Sequence, residues 1–257
     1  MRLRSVGALS ELTPISRTPR RMNGITVVLN SMPAALPMLA MIPSFCTVRV
    51  STANGSPPSE STAPCQRLGH DWGGPVAFAL TAAHAEAIRT LTIVDVTLPG
   101  IGPDISQGGK RWHHAFHMTP DLPEALVQGR ERAYLTWFYG AFSWRPEAFG
   151  PADIDEYLRT YTQPGALRAG FAYYRNIPRD TADNRALLES GLRLKMPVLA
   201  IGGGRPEARG RGSEPEESLR VIADNVTGVV IADSGHFIPE ERPEELAAHL
   251  LDHFGRH

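Results

Sequence analysis

One six-residue stretch limits the fold more than any other part of the 257-residue sequence: Gly69-His70-Asp71-Trp72-Gly73-Gly74. It is followed by Pro75 and by a run rich in small residues that includes Ala77, Ala79, Ala82 and Ala83. A tight strand-to-helix turn flanked by glycines forces its central residue into strained backbone geometry. The side chain of that residue then projects above the sheet, beside a helix N-terminus whose N–H groups favour negative charge. Proline suits the first turn of such a helix, and the alanines let it lie close to a sheet. The bland alternative is a glycine-rich turn whose aspartate caps the helix.

The chain beyond residue 65 supplies the strands that this turn requires. Arg89–Val96, Met196–Gly204 and Val226–Gly235 are short, apolar and rich in β-branched residues, as buried strands are. Helical patterns separate them. Leu246, Leu250 and Phe254 recur at i, i+4 and i+8 on one face of a C-terminal helix. Buried strands alternating with helices predict an α/β fold with a mainly parallel sheet. Between about 101 and 192 the periodicity is helical throughout. Helices are expected in the segment from Pro120 to Phe138, from Pro151 to Tyr161 and from Gly165 to Ile177. A helical block inserted between strands usually forms a cap over the carboxyl edge of the sheet, where ligands bind. The expected organisation is therefore a core of residues 66–100 and 193–257 with a cap of residues 101–192.

Residues 1–65 have a different composition. Serine, threonine, proline and arginine are frequent there, and Glu11 and Glu60 are the only acids. Ile25–Val28 reads as one strand, whereas the stretch from Ser51 to Gln66 has the composition of a flexible linker. This part is expected to be divergent and incomplete in strands. The net charge of −1 offers nothing to nucleic acid or to an acidic membrane surface. No run of about 20 apolar residues predicts a membrane span. Two cysteines do not make a disulfide framework, so a reducing cytoplasm is the expected compartment.

The Gly-His-Asp-Trp-Gly-Gly turn resembles the nucleophile elbow of the α/β-hydrolase family, with aspartate where esterases carry serine. A carboxylate suits displacement at an sp³ carbon, which gives an alkyl-enzyme ester. That ester then has to be hydrolysed. His236, just after the last predicted strand, stands where this fold places its base. A base needs a carboxylate to hold its tautomer. The strand after the elbow ends in Asp95, whereas the other usual position offers only Gly202–Gly204 and the nearby Glu207. Asp95 is therefore the expected partner, and the backbone N–H of Trp72 the expected oxyanion donor.

The segments around Gly69–Gly74, Trp112–His117, Leu122–Phe138, Ala166–Ile177 and Asp233–Phe237 together resemble epoxide hydrolases and their near relatives, over residues 68–257. That resemblance implies two proton donors on the cap. One is the tyrosine just before arginine, Tyr174. The other is a second tyrosine or, in a subgroup with a Trp-His-x-x-Phe pattern, the histidine that is His113 here. Periodicity agrees for Tyr174, which shares a helical face with Leu167, Gly170 and Phe171. An opened epoxide bears an alkoxide, so a donor there has a clear use. A haloalkane dehalogenase also carries an aspartate elbow followed by tryptophan. It would hold halide with Trp72 and a second donor, for which Trp112, Trp137 and Trp144 are candidates without a specific pattern; Trp72 and Trp112 are the expected substrate-binding residues. Neither reading requires a cofactor or a metal; His113, His114 and His117 lack a convincing further metal ligand. The expected partners are a small epoxide or halogenated substrate and, at most, a second copy of the chain.

One departure from the family pattern is plain. A His-Gly-x-Pro loop, which would supply a second oxyanion donor, is absent, and the first histidine in the chain is His70. Ala63–Arg67 stand where the elbow's strand should be, leaving only Leu68 as an apolar residue of that strand. Two further readings follow. In one, the first 65 residues come from a shifted frame or wrong start and the protein is catalytically impaired. In the other, a hydrolase scaffold binds a ligand without turning it over.

Overall fold

The computed structural model describes residues 64–257 and, before them, the backbone of two three-residue strands, β1 (Arg20–Met22) and β2 (Ile25–Val27), paired antiparallel. β2 covers three of the four residues read as a strand. The expected linker as far as Ala63, and the rest of the divergent segment, lie outside the described residues. The linker's last two residues, Cys65 and Gln66, are a correction, because they pair with the neighbouring strand as the start of the strand Cys65–His70.

Four parallel strands form the main sheet in the order β3 (Cys65–His70), β4 (Ile88–Val94), β5 (Val198–Gly203), β6 (Val226–Ile231). β3 corrects an expectation. Six residues form a strand where the sequence offered one apolar residue, pairing from Gln66 opposite Thr90 to His70 opposite Val94. The reason is backbone pairing with β4. Among the described residues β3 is an edge strand with β4 as its one partner. Backbone pairing needs no apolar side chain, and the half-buried Gln66 and Arg67 are tolerated where only Leu68–His70 are buried.

Helices cover both faces. α1 (Gly73–Ala83) returns along β3 and β4. On its side, Phe78 packs with Leu91, Ile93, Val198 and Ala200 of the strands and with Leu219 of α7 (Glu214–Ile222). The opposite face packs Val94, Leu199 and Ile201 against Leu246, Leu250 and Phe254 of α9 (Pro243–Arg256). The i, i+4, i+8 stripe of the sequence is thus the buried face of α9. A four-residue turn, α8 (Ile238–Glu241), precedes it.

Between β4 and β5 lie α2 (Trp112–Met118), α3 (Leu122–Val127), α4 (Glu131–Ala141), α5 (Pro151–Tyr161) and α6 (Ala166–Glu189). Two boundaries differ from expectation. The segment from Pro120 to Phe138 is two helices, broken at Gly129, whose φ of +78° no helix accommodates. α6 runs twelve residues past Ile177, straight through Pro178. Its buried residues, Ala166, Phe171, Ile177 and Asn184, continue on both sides of the proline, so packing outweighs the lost hydrogen bond. No described helix is long and apolar enough to cross a membrane.

Candidate active site

Asp71 stands at the turn between β3 and α1 with φ +49°, a conformation rarely adopted by residues other than glycine. Its N–H donates to Val94 O at 3.2 Å, and its carbonyl accepts from Gly74 N at 2.8 Å. The turn is tight enough that a Cβ on Gly69 would lie 2.0 Å from the carbonyl oxygen of Gly73. The elbow thus depends on glycine at 69 for close approach and fixes the aspartate in one geometry.

His236 follows β6 on a buried loop. Its Nε2 lies 3.3 Å from Asp71 Oδ2, and its Nδ1 lies 2.7 Å from Asp95 Oδ2. Asp95 is fully buried at the end of β4, with φ +50°. Its other oxygen, Oδ1, accepts the backbone N–H groups of Gly203 at 2.9 Å and Arg211 at 2.8 Å. Glu207, the alternative carboxylate, points outward beside Arg205. The three expected triad residues are therefore brought together in a chain, Asp71–His236–Asp95.

The His236 loop is held from several sides. Its own N–H reaches Phe142 O of the cap at 2.9 Å and Ala208 O at 3.1 Å, and its carbonyl accepts from His70 Nε2 at 2.8 Å. The buried Glu241 carboxylate accepts N–H groups from Gly235 and Phe237 of this loop and from Trp144 and Arg145 of the cap. Sequence reading flagged neither His70 nor Glu241 for this task.

Electrostatics sort the groups by protonation state. Burial pushes the Asp71 carboxyl up, but the charges of His236 and Arg209 and the hydrogen bond to His236 outweigh burial and hold it well below the usual carboxylate range. Asp95 behaves alike: burial raises it, and the His236 hydrogen bond, the charges of His236 and Arg209, and the Gly203 N–H bring it below the ordinary value. Burial, followed by the charge of His236, lowers His70 to about 4, so it donates to the His236 carbonyl as a neutral ring.

Above Asp71 lies an aromatic cavity of about 110 Å³. Leu167, Gly170, Phe171 and Tyr174 all line it, the helical face read from the sequence. Tyr173 turns away and packs with the core beside Trp72. Burial, and then the charge of Asp71, raise the Tyr174 phenol above its ordinary range. The structure separates the three histidines of α2. His113 and His117 line the cavity; His114 instead faces Ser106 Oγ, 2.9 Å from its Nδ1. Burial lowers His113 far below the usual histidine range, helped by the positive charge of Arg209, so the ring is neutral. His117 hydrogen-bonds Tyr134 through Nε2.

Trp72 is buried, its ring edge-on to Tyr174 at 4.9 Å. Its backbone N–H, at the mouth of α1, donates to no acceptor among the described residues. Trp112 is a correction. It is 48% exposed, stacks on Phe138 and does not line the cavity. It adjoins His113 in α2, and neighbours in a helix point about 100° apart, so one of them faces in and the other out.

Sequence reading also missed Arg209, in the loop after β5. Its backbone is left-handed at φ +65° and its side chain is 5% exposed. The guanidinium lies over the Phe142 ring, with Nη2 3.5 Å from Asp71 Oδ1 and Nη1 3.9 Å from Asp95 Oδ2 and in close contact with His236 Nδ1. The run of Arg205, Arg209 and Arg211 among glycines was the available signal.

Comparison with known proteins shows the family of the chain. The family model described as "Alpha/beta hydrolase family" matches residues 60–249. The chain is 31% identical over 189 residues to the soluble epoxide hydrolase of Corynebacterium sp. strain C12, covering 69% of this chain and 62% of that protein. Among solved structures, wild-type Cfl2 from Burkholderia cenocepacia is 41% identical with a TM-score of 0.65, covering 74% of this chain and 65% of Cfl2. The epoxide hydrolase CorEH is 30% identical with a TM-score of 0.62, covering 74% and 67%. The chain spans about three fifths of the length of the Corynebacterium protein.

Proposed function

Because the chain belongs to the alpha/beta hydrolase family, we propose that its cavity opens epoxides to diols through an ester on Asp71. The observation that carries the reading is the pairing of opposites across one apolar cavity. On one side stands an ionised carboxylate backed by His236 and Asp95; on the other stand two neutral donors, Tyr174 and His113. Relatives whose names are epoxide hydrolases support the same choice.

In the first step Asp71 Oδ2 attacks an epoxide carbon, and the carbon–oxygen bond of the ring breaks with its electron pair passing to oxygen. Tyr174 O–H and a His113 N–H donate to the alkoxide as it forms. The charge of Asp71 contributes to the raised Tyr174 pKa. Alkylation removes that charge, so the phenol becomes a better donor as the alkoxide appears. In the second step His236 Nε2 takes a proton from water, and the hydroxide attacks Asp71 Cγ. The oxyanion is stabilised by Trp72 N–H, and the Cγ–Oδ2 bond breaks to release the diol, whose leaving oxygen takes the proton from His236. The proton left on the Asp71 carboxyl replaces the one given by the cap donor. Asp95 holds His236 in the tautomer that leaves Nε2 free.

The test is the intact mass of His236→Gln after exposure to a small terminal epoxide and, separately, to a haloalkane. Expected is a gain equal to the whole epoxide, absent in Asp71→Asn and formed on the order of 10² more slowly in Tyr174→Phe. A gain equal to the alkyl group from the haloalkane, with none from the epoxide, would replace the proposal with dehalogenation. No gain from either would leave a binding protein or an impaired enzyme.

A further inference from the structure

The two oxygens of Asp71 face different neighbours, and the neighbour of the second has no role in the steps above. Oδ2 lies 3.3 Å from His236 Nε2, on the side from which activated water must come. Oδ1 lies 3.5 Å from Arg209 Nη2. We propose that Arg209 is a catalytic residue whose guanidinium, together with the Trp72 N–H, forms the oxyanion site that stabilises hydrolysis of the ester. The proposal rests on the ester pathway above.

The electron count places the charge where Arg209 is. When the oxygen of water bonds to Cγ, the π pair of the ester carbonyl moves onto Oδ1. The tetrahedral centre then collapses, Oδ1 regains its double bond, and the pair of the Cγ–Oδ2 bond leaves with the product oxygen, which takes the proton held by His236. Negative charge is therefore on Oδ1 in the tetrahedral state and absent from it in the ester. Arg209 is fixed in advance for that change. Its backbone is left-handed, its guanidinium is buried over Phe142, and its Nε has no partner among the described residues. In the resting site it faces two carboxylates, Asp71 and Asp95. Alkylation neutralises one of them, which leaves the cation undercompensated, and the tetrahedral state restores the lost charge at Oδ1. An interaction stronger in the transition state than in the ground state is what accelerates a step. A fixed cation at this position also meets the need left by the missing His-Gly-x-Pro loop.

Arg209 also touches His236, so a slower hydrolysis alone would not separate an oxyanion donor from a residue that merely positions the base. Hydroxylamine does separate them. It attacks Asp71 Cγ without a general base and leaves a hydroxamate, but the charge still develops on Oδ1. The ester is therefore trapped on His236→Gln with a small terminal epoxide, and its cleavage by hydroxylamine is followed by intact mass. The same is done with His236→Gln/Arg209→Met, after a melting curve confirms that it folds. Expected is cleavage slower by about 10²–10³ in the double variant. Equal rates would overturn the role of Arg209 while leaving the ester pathway standing. A folded double variant that forms no ester would also overturn it, since Arg209 would then serve alkylation instead. No ester on His236→Gln itself would overturn the proposed function, and the role of Arg209 with it. If the methionine variant does not fold, Arg209→Gln in the same background, which keeps a polar head without the charge, decides between the same outcomes.

Discussion

Replacing Asp95 with asparagine should stop the second half of the reaction and spare the first, and the geometry says by how much. Asp95 Oδ1 accepts two buried backbone N–H groups, from Gly203 and Arg211, and Oδ2 faces His236 Nδ1 at 2.7 Å. The side-chain amide of the Asp95→Asn variant has one oxygen for these two sites. Placed toward the backbone donors, it keeps both hydrogen bonds and turns its NH₂ toward His236. Nδ1 must then accept, the proton moves to Nε2, and the base is lost. The opposite rotamer keeps the right tautomer but sets NH₂ against two N–H donors. Leaving two buried donors unsatisfied costs about 2–6 kcal/mol at about 1–3 each. The productive arrangement is therefore populated roughly 30-fold to 10⁴-fold less. The upper end matches the loss of on the order of 10⁴ known for a triad held in the wrong tautomer. Rapid mixing with a small epoxide, quenched and read by intact mass, should show the ester forming within about tenfold of the wild-type rate and persisting. Turnover at the wild-type rate would refute the assignment of Asp95. An ester that never forms would refute the separation of the two steps.

Three further outcomes follow from the same structure. The pKa of His70 falls from 6.5 to about 4 on folding, chiefly through burial, so between those values the unfolded chain binds the extra proton. Its contribution is intact above pH 6.5 and is lost as pH falls toward 4, by about 2 kcal/mol between pH 7 and pH 5. Urea unfolding of His70→Gln, which keeps a donor toward the His236 carbonyl, should show a pH dependence weaker by about that amount; an unchanged dependence would contradict it. Trp112→Ala should leave kcat/KM within about threefold of wild type, because this exposed ring does not line the cavity, and a loss of tenfold or more would return it to the site. Gly69→Ala places a methyl 2.0 Å from the Gly73 carbonyl oxygen and should lower stability by more than about 4 kcal/mol, measured by thermal or urea unfolding; a near-native melting temperature would mean that the elbow relaxes.

What the sequence disclosed and what it hid follow from how each feature is encoded. The elbow was legible because close approach and positive φ impose residue types: a Cβ at Gly69 would lie 2.0 Å from backbone, and Asp71 sits in a conformation that needs a special turn. α9 and the cavity face of α6 were legible because burial on one side of a helix writes a period of about 3.6 into the chain. β3 was hidden because its pairing with β4 is made by backbone groups, which leaves no apolar pattern in Gln66 and Arg67. The extension of α6 through Pro178 was hidden because a local rule about proline yields to packing that involves residues far away in sequence. Arg209 was hidden for a further reason. Its neighbours Arg205 and Arg211 pair with the acids Asp233 and Glu214, and nothing in the residue type says which arginine turns toward Asp71. The left-handed backbone at 209 makes that choice, together with the return of the loop beside His236. Local motifs thus announced Asp71, whereas the cation beside it is set by a loop conformation. An acid after β5 would have left a local signature; the cation leaves none, although a carboxylate with one oxygen facing His236 has its other oxygen open to a positive partner.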